Sequence, residues 1–209
     1  GDVYKRQLVG SDSYIFDDFT KKQLDTFTRV AAELEAGLEY KVIKHILNSA
    51  GIERFTDYQM DMVRLGIGLY GVSASGQKGL RNISTLKTTI LQIQNVPAGD
   101  SIGYSRMSYV KRDSRIAIIP IGYADGLDRH FSNGGGEVVI NGHRCPIIGN
   151  ICMDACMIDV TDTDAHEGDS VIIFGEELPV SELSDKLKTI PYEILTSISP
   201  RVKRVYYRE

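Results

Sequence analysis

Glu137-Val138-Val139-Ile140-Asn141-Gly142-His143-Arg144-Cys145-Pro146-Ile147-Ile148 reads as a β-hairpin. Two strand-like segments, with apolar residues at Val138 to Ile140 and at Cys145 to Ile148, flank Asn-Gly, the pair that most readily adopts the left-handed backbone of a two-residue hairpin turn. Working outward from it, the texture from about Thr85 onward is strand and turn. Leu86 to Val96 is a candidate strand closed by Pro97-Ala98-Gly99-Asp100. Arg115 to Ile121 is another, closed by Gly122-Tyr123-Ala124-Asp125-Gly126. Ile151 to Val160 and Ser170 to Phe174 follow. Only Val180 to Lys188 has helical spacing, with Ser181 as its cap. Short strands at this spacing predict a small β-barrel or sandwich.

Upstream the texture changes. Leu24, Phe27, Val30, Ala31 and Leu34 recur at helical spacing, with Thr20 as N-cap and Gly37 as stop. Tyr40 to Ile43 reads as a short strand, and Asn48-Ser49-Ala50-Gly51 opens a helical segment towards Phe55. Met62 to Leu69 has the apolar run of a strand buried on both faces. Alternating α and β elements imply part of a parallel α/β sheet or barrel. The expected organisation is therefore an incomplete α/β domain over 1–71, a linker over 72–79 that includes Ser73-Ala74-Ser75-Gly76, and a β-rich domain over 80–209.

The totals narrow the function classes. Of 209 residues, 42% are apolar and 25% charged, which suits a packed globular chain. The net charge of -4 offers no basic face for nucleic acid. No apolar run is long enough for a transmembrane helix, and Gly1 to Gln7 lack the apolar centre of a secretory signal. Three cysteines, an odd number, argue against a disulfide framework and favour the cytoplasm. His143, Cys145, Cys152 and Cys156 could be drawn as a zinc site, but cysteines among strand residues pack as small hydrophobes, and no metal is expected.

One tyrosine, one arginine and one Met-Asp pair sit in apolar, turn-rich settings: Ile102-Gly103-Tyr104-Ser105, Val63-Arg64-Leu65-Gly66-Ile67 and Gly149-Asn150-Ile151-Cys152-Met153-Asp154. Taken with His45-x-x-Asn48-Ser49-Ala50, Pro97-Ala98-Gly99-Asp100 and Gly122-Tyr123-Ala124-Asp125-Gly126, this ordered series resembles bacterial alanine racemase from about Leu8 to the C-terminus. The resemblance implies the end of a (β/α)8 barrel of the TIM type followed by a β-rich domain. It also implies pyridoxal 5'-phosphate as cofactor, L- and D-alanine as substrates, and a homodimer whose active site is shared between subunits. The product would supply D-alanine for peptidoglycan in the cell wall.

By the same resemblance Tyr104 is one of two bases. A phenol has a pKa of about 10 and needs a nearby cation or donor to act near neutrality; the rival reading is a tyrosine packed at a strand end. Arg64 would face the pyridine nitrogen of the cofactor, or else pair with Asp61. Ser49, Gly66 and Ile67 would form a phosphate cup, as backbone N–H groups do after the last strands of such barrels; otherwise the glycines only permit close packing. The Met153 N–H would receive the substrate carboxylate, with core filler as its rival role. Tyr123 would line the corridor to the substrate pocket, with Asp154 in support, or these two would only pack and cap turns. His45 and Asn48 would orient Arg64 and the loop.

Three departures matter. The family's Schiff-base lysine is expected upstream of every matched segment, and Lys44 is no substitute because its neighbours match the later His-x-x-Asn-Ser segment. Only about a quarter to a third of an eight-stranded barrel is expected here. Pro200 stands where some members carry a tyrosine that reaches the cofactor phosphate, and proline has no hydroxyl. Other classes fit parts of the pattern: another pyridoxal-phosphate racemase or decarboxylase of the same fold, or a non-catalytic β-domain interaction module. The isolated 209-residue chain is expected not to interconvert L- and D-alanine when pyridoxal phosphate is added; a chiral assay that finds turnover overturns this.

Overall fold

A computed structural model describes residues 7–77 and 79–207, and the chain divides into two compact units, Gly1–Arg81 and Asn82–Glu209. The opening Gly1–Arg6 and Lys78 of the linker lie outside the described residues.

In the first unit α1 spans Asp17–Ala36. Asp17 and Asp18 occupy its first turn, where carboxylates oppose the positive end of the helix dipole. The expected cap at Thr20 is therefore corrected: Thr20 lies one turn inside the helix and is buried. Gly37 does follow the last turn. The anticipated apolar stripe is covered only at its start. Leu24 is fully buried against Leu8, Ile46, Leu47 and Phe55, and Phe27 packs beside them, but Val30 and Leu34 are exposed. A stripe is buried only as far as other segments reach it.

α2 spans Ser49–Arg54, and Asn48 caps it by accepting the Gly51 N–H at 2.9 Å. The strands expected at Tyr40 to Ile43 and Met62 to Leu69 are not formed. The Asp61 N–H donates to the Lys44 carbonyl at 3.2 Å and the Arg64 N–H to that of Leu47 at 3.0 Å. Both segments advance by three residues between these bonds, so they run side by side in the same direction. A regular parallel ladder advances by two, and none is completed here. Nor is the second segment buried on both faces: Met62, Leu65 and Leu69 are exposed, and Ile67–Tyr70 form a 3-10 turn.

Among the described residues the second unit has nine strands: β1 Leu86–Thr89, β2 Gln92–Val96, β3 Ser101–Ile102, β4 Ser108–Tyr109, β5 Ser114–Ile119, β6 Glu137–Ile140, β7 His143–Ile148, β8 Cys156–Asp159 and β9 Ser170–Phe174. β3 and β4 form a small pair, and the rest form one antiparallel sheet in the order β1-β9-β6-β7-β8-β5-β2. The predicted hairpin is present in its predicted register, with Ile140 opposite His143. The single strand expected over Leu86 to Val96 is corrected to two, β1 and β2, which lie on opposite edges of the sheet. Ile90 donates to Asp169, just before β9, at 3.0 Å and Leu91 to Ile118 of β5 at 2.9 Å, so two consecutive residues bond to strands from opposite sides of the sheet. The sheet must curl to allow this, which selects the barrel-like alternative over the sandwich.

The strand expected over Ile151 to Val160 shrinks to β8, because Ile151–Ala155 turn tightly, with Cys152 donating to Ala155 at 2.9 Å. α3 spans Val180–Leu187 and is not capped by Ser181; it ends at Lys188, which takes a left-handed conformation. α4, Pro191–Ser197, was not anticipated, although a proline at the first helical position is a start signal. Leu183 of α3 lies with Leu127, Phe131, Ile147 and Ile173 over the sheet. Burial pushes the Cys145 thiol up to about 11 and that of Cys156 up to about 12, as expected of packed cysteines.

Glu53 of α2 anchors the segment after Gly71. Its carboxylate accepts the Ser73 hydroxyl at 2.7 Å, the Ala74 N–H at 3.1 Å, the Ser75 N–H at 3.2 Å and the Ser75 hydroxyl. Burial alone would raise its pKa, but these donors together hold it below the ordinary carboxylate value. A carboxyl lowered in the folded state contributes stability above its unfolded pKa, and that contribution is lost as pH falls through the folded value. Glu53→Gln is therefore expected to lower amide protection at Ala74 and Ser75 near neutral pH and to flatten its loss on acidification, read by hydrogen exchange.

Candidate active site

The residues singled out in the sequence fall into two groups, one in each unit. In the first unit Asn48 fixes the start of α2. Besides capping the helix, it donates to the Leu8 carbonyl at 3.1 Å and accepts the Ser11 hydroxyl at 2.8 Å. Ser49 follows and is buried. Its hydroxyl oxygen accepts the N–H of Gly66 at 2.8 Å and of Gly68 at 3.3 Å. Two backbone donors thus converge on one hydroxyl. Ile67 is buried between the two glycines. Arg64 is two residues away from Gly66, and its Nη1 lies against Nδ1 of His45. Asp61 accepts the Lys44 N–H at 2.9 Å and faces Lys41, contacts that hold its carboxyl below the usual range. The Lys44 amine is paired with Glu35 at 2.9 Å.

In the second unit topology assembles the group. β5 and β7 each run antiparallel to β8, which lies between them, so they run parallel to each other. Their following loops leave the same end of the sheet. One carries Tyr123, the other Met153 and Asp154. The loops are joined through their backbones: the Tyr123 N–H donates to the Cys152 carbonyl and the Ala124 N–H to the Met153 carbonyl, both at 3.0 Å. This approach requires glycine at 122, where a Cβ would lie 2.3 Å from the Cys152 oxygen and 2.4 Å from that of Met153. Among the described residues no acceptor takes the Met153 N–H. Met153 as a residue is half exposed.

Tyr104 lies beside the same stretch. Gly103, with φ of +72°, turns the chain out of β3, and Ser105 and Arg106 also have positive φ, which costs energy for residues with a side chain. The Asn150 amide donates to the Tyr104 carbonyl at 3.0 Å and is itself held by Asn133 at 3.0 Å. Tyr104 is 73% exposed, so the rival reading of a packed tyrosine does not hold within this chain. Tyr123 is also exposed, as is Met153, which is not core filler.

Two residues of this network were not singled out in the sequence. Arg201 donates from Nε to Asp125 at 2.7 Å and from Nη2 to Asp154 at 2.5 Å. Burial raises the Asp125 carboxyl, but Arg201 and the Gly122 N–H outweigh this and lower it. Pairs 76 and 47 residues apart leave no local pattern to read. Among the described residues no group of three or more His, Cys, Asp or Glu is placed to hold a metal ion.

Comparison with known proteins places both units. Residues 8–74 match the profile of the alanine racemase N-terminal domain, and residues 83–206 that of the alanine racemase C-terminal domain. The chain belongs to the alanine racemase family. Alanine racemase 1 of Caldanaerobacter subterraneus subsp. tengcongensis is 42% identical over 199 residues, covering 91% of this chain and 51% of that protein. The alanine racemase of Clostridium tetani is 40% identical, covering 91% and 52%. Among solved structures, alanine racemase from Bartonella henselae with covalently bound pyridoxal phosphate superposes with a TM-score of 0.87 at 37% identity, over 96% of this chain and 55% of that one. The Bacillus anthracis enzyme with bound L-Ala-P gives 0.88 at 33% identity, over 97% and 54%. The chain spans about half the length of the curated racemases it matches.

The glycine at 122 offers a direct check on the loop junction. Gly122→Ala is expected to cost about 1–3 kcal/mol, because backbone atoms must move to admit the new carbon. A urea midpoint equal to that of the parent would show that the two loops do not meet this closely.

Proposed function

We propose that this chain is part of an alanine racemase that interconverts L- and D-alanine with pyridoxal 5'-phosphate. The observation that carries the reading is the convergence of the Ser49 hydroxyl with the Gly66 and Gly68 N–H groups, close in sequence to a guanidinium. A hydroxyl and backbone N–H groups at the start of a helix suit a phosphate, so the residues present fit the phosphate end of that cofactor.

Ser49, Gly66 and Ile67 would hold the phosphate, and Arg64, oriented by His45, would donate to the pyridine nitrogen. Arginine stays protonated at any relevant pH, so it would keep that nitrogen from taking a proton. When bound, the cofactor supplies the electron sink that lets a proton leave the Cα of an amino acid. The Met153 N–H receives the substrate carboxylate and so fixes which face of Cα is presented. Tyr104 takes or returns the Cα proton on one face, and inversion needs a second base on the other. No residue here matches the family's lysine. Tyr123 and Asp154 border the approach to the Met153 donor.

We further propose a homodimer in which the N-terminal unit of one subunit and the C-terminal unit of its partner complete each site. The exposure of both Tyr104 and Met153 supports this, since two groups meant for substrate are open in the single chain. The N-terminal unit is read as the end of a (β/α)8 barrel, with 72–79 as the linker to the β-rich domain. The product would be D-alanine for the cell wall, made in the cytoplasm. Among the described residues no helix is long and apolar enough to cross a membrane.

Tyr104→Phe in the full-length protein tests the central role. Racemisation is expected to fall by about 10²- to 10⁴-fold, with the absorbance of bound cofactor retained. Full activity removes Tyr104 from the mechanism.

A further inference from the structure

We propose that Arg201 is a positioning residue for the substrate carboxylate: it ties the Met153 turn to the Tyr123 turn and neutralises Asp154 beside the open Met153 N–H. The proposal rests on the racemase reading above, and it adds a determinant of substrate affinity outside the catalytic groups.

The geometry has three parts. Arg201 bridges two carboxylates on different loops, Asp125 at 2.7 Å and Asp154 at 2.5 Å. Asp125 turns its second oxygen inward to accept the Gly122 N–H at 2.9 Å, so the bridge reaches the backbone junction of the two loops. The segment bearing Arg201 is itself anchored. The Ser199 N–H donates to the Asp125 carbonyl at 3.0 Å, and Arg204 donates to the Ile198 carbonyl at 3.1 Å. The guanidinium is thus delivered to a fixed place, and both its partners sit next to groups assigned to substrate.

The electrostatic consequence follows from adjacency. Asp154 directly follows Met153 in the chain. A free carboxylate there would repel an incoming carboxylate at the donor meant to receive it. Arg201 sets one positive charge against the two negative ones. Without it both carboxylates stand uncompensated, and the Asp154 side of the turn loses its side-chain tether. A positively charged, forked donor suits this task, because a point charge on a flexible stem cannot span both acids in the same way.

The test uses the full-length protein carrying this chain. Arg201→Ala is expected to raise KM for alanine about tenfold while kcat changes far less. Added salt should lower the raised KM by screening the exposed acids. The double variant R201A/D154N should recover part of the loss, because the repelling charge is gone. Arg201→Lys, which keeps the charge and disturbs folding less, should lie between parent and Arg201→Ala. Hydrogen exchange at the Ile151–Ala155 amides should quicken in Arg201→Ala. An unchanged KM in Arg201→Ala or Arg201→Lys overturns the proposal. So does a loss in which kcat, KM and melting temperature move together and R201A/D154N is no better than Arg201→Ala. A parent with no racemase activity refutes the functional reading instead, and the assignment falls with it.

Discussion

A sheet whose two edge strands are joined by two residues cannot remain flat. Ile90 and Leu91 hydrogen-bond towards opposite sides of the sheet, to Asp169 at the start of β9 and Ile118 of β5, and this requirement curls the sheet. The curl stops short of closure, and β1 and β2 remain its edge strands. The strand order then does the rest. With β8 between β5 and β7, the loops that leave those two strands share one end of the sheet. The neighbourhood of Tyr123, Met153 and Asp154 is therefore a product of topology before any side chain is considered.

On that end the chain is held chiefly by backbone. The two N–H groups at Tyr123 and Ala124 reach carbonyls of the facing loop, and the Tyr104 carbonyl is taken by an asparagine amide. Positive φ at Ser105 and Arg106 costs about 1–3 kcal/mol each. Surrounding contacts must offset that strain, and clusters of it commonly mark functional turns. In the N-terminal unit the same economy appears at Ser49, where one hydroxyl gathers two backbone donors from a segment 17 and 19 residues away. Polar groups there are set in place in advance, which lowers the ordering needed when an anion binds.

Local signals were legible where the chain's own chemistry decides the outcome. Asn141-Gly142 placed the hairpin in register, Ser170 to Phe174 was read at its true ends, and Asn48 was found at the head of a helix. Signals failed where distant partners decide. Leu86 to Val96 contains no glycine or proline to mark a break, and nothing in it shows that its halves pair with segments far apart in the sequence. Met62 to Leu69 has the composition of a buried strand, yet burial depends on what packs around it. The candidate site was legible through the order of its motifs more than through any one of them. Arg201 was missed because an ion pair spanning 47 residues has no periodicity.

The pairing of β1 with β9 has a cost in time. Leu86 meets Phe174, so the first strand of the sheet must wait for the last before it gains a neighbour. On a ribosome that releases about 5–20 residues per second, β1 spends several seconds with its backbone unpaired after it emerges. Such non-local pairing slows folding at any given stability. The nascent chain is thus most vulnerable to misassociation before the segment around Asp169 has been made, and chaperone protection would matter most in that interval.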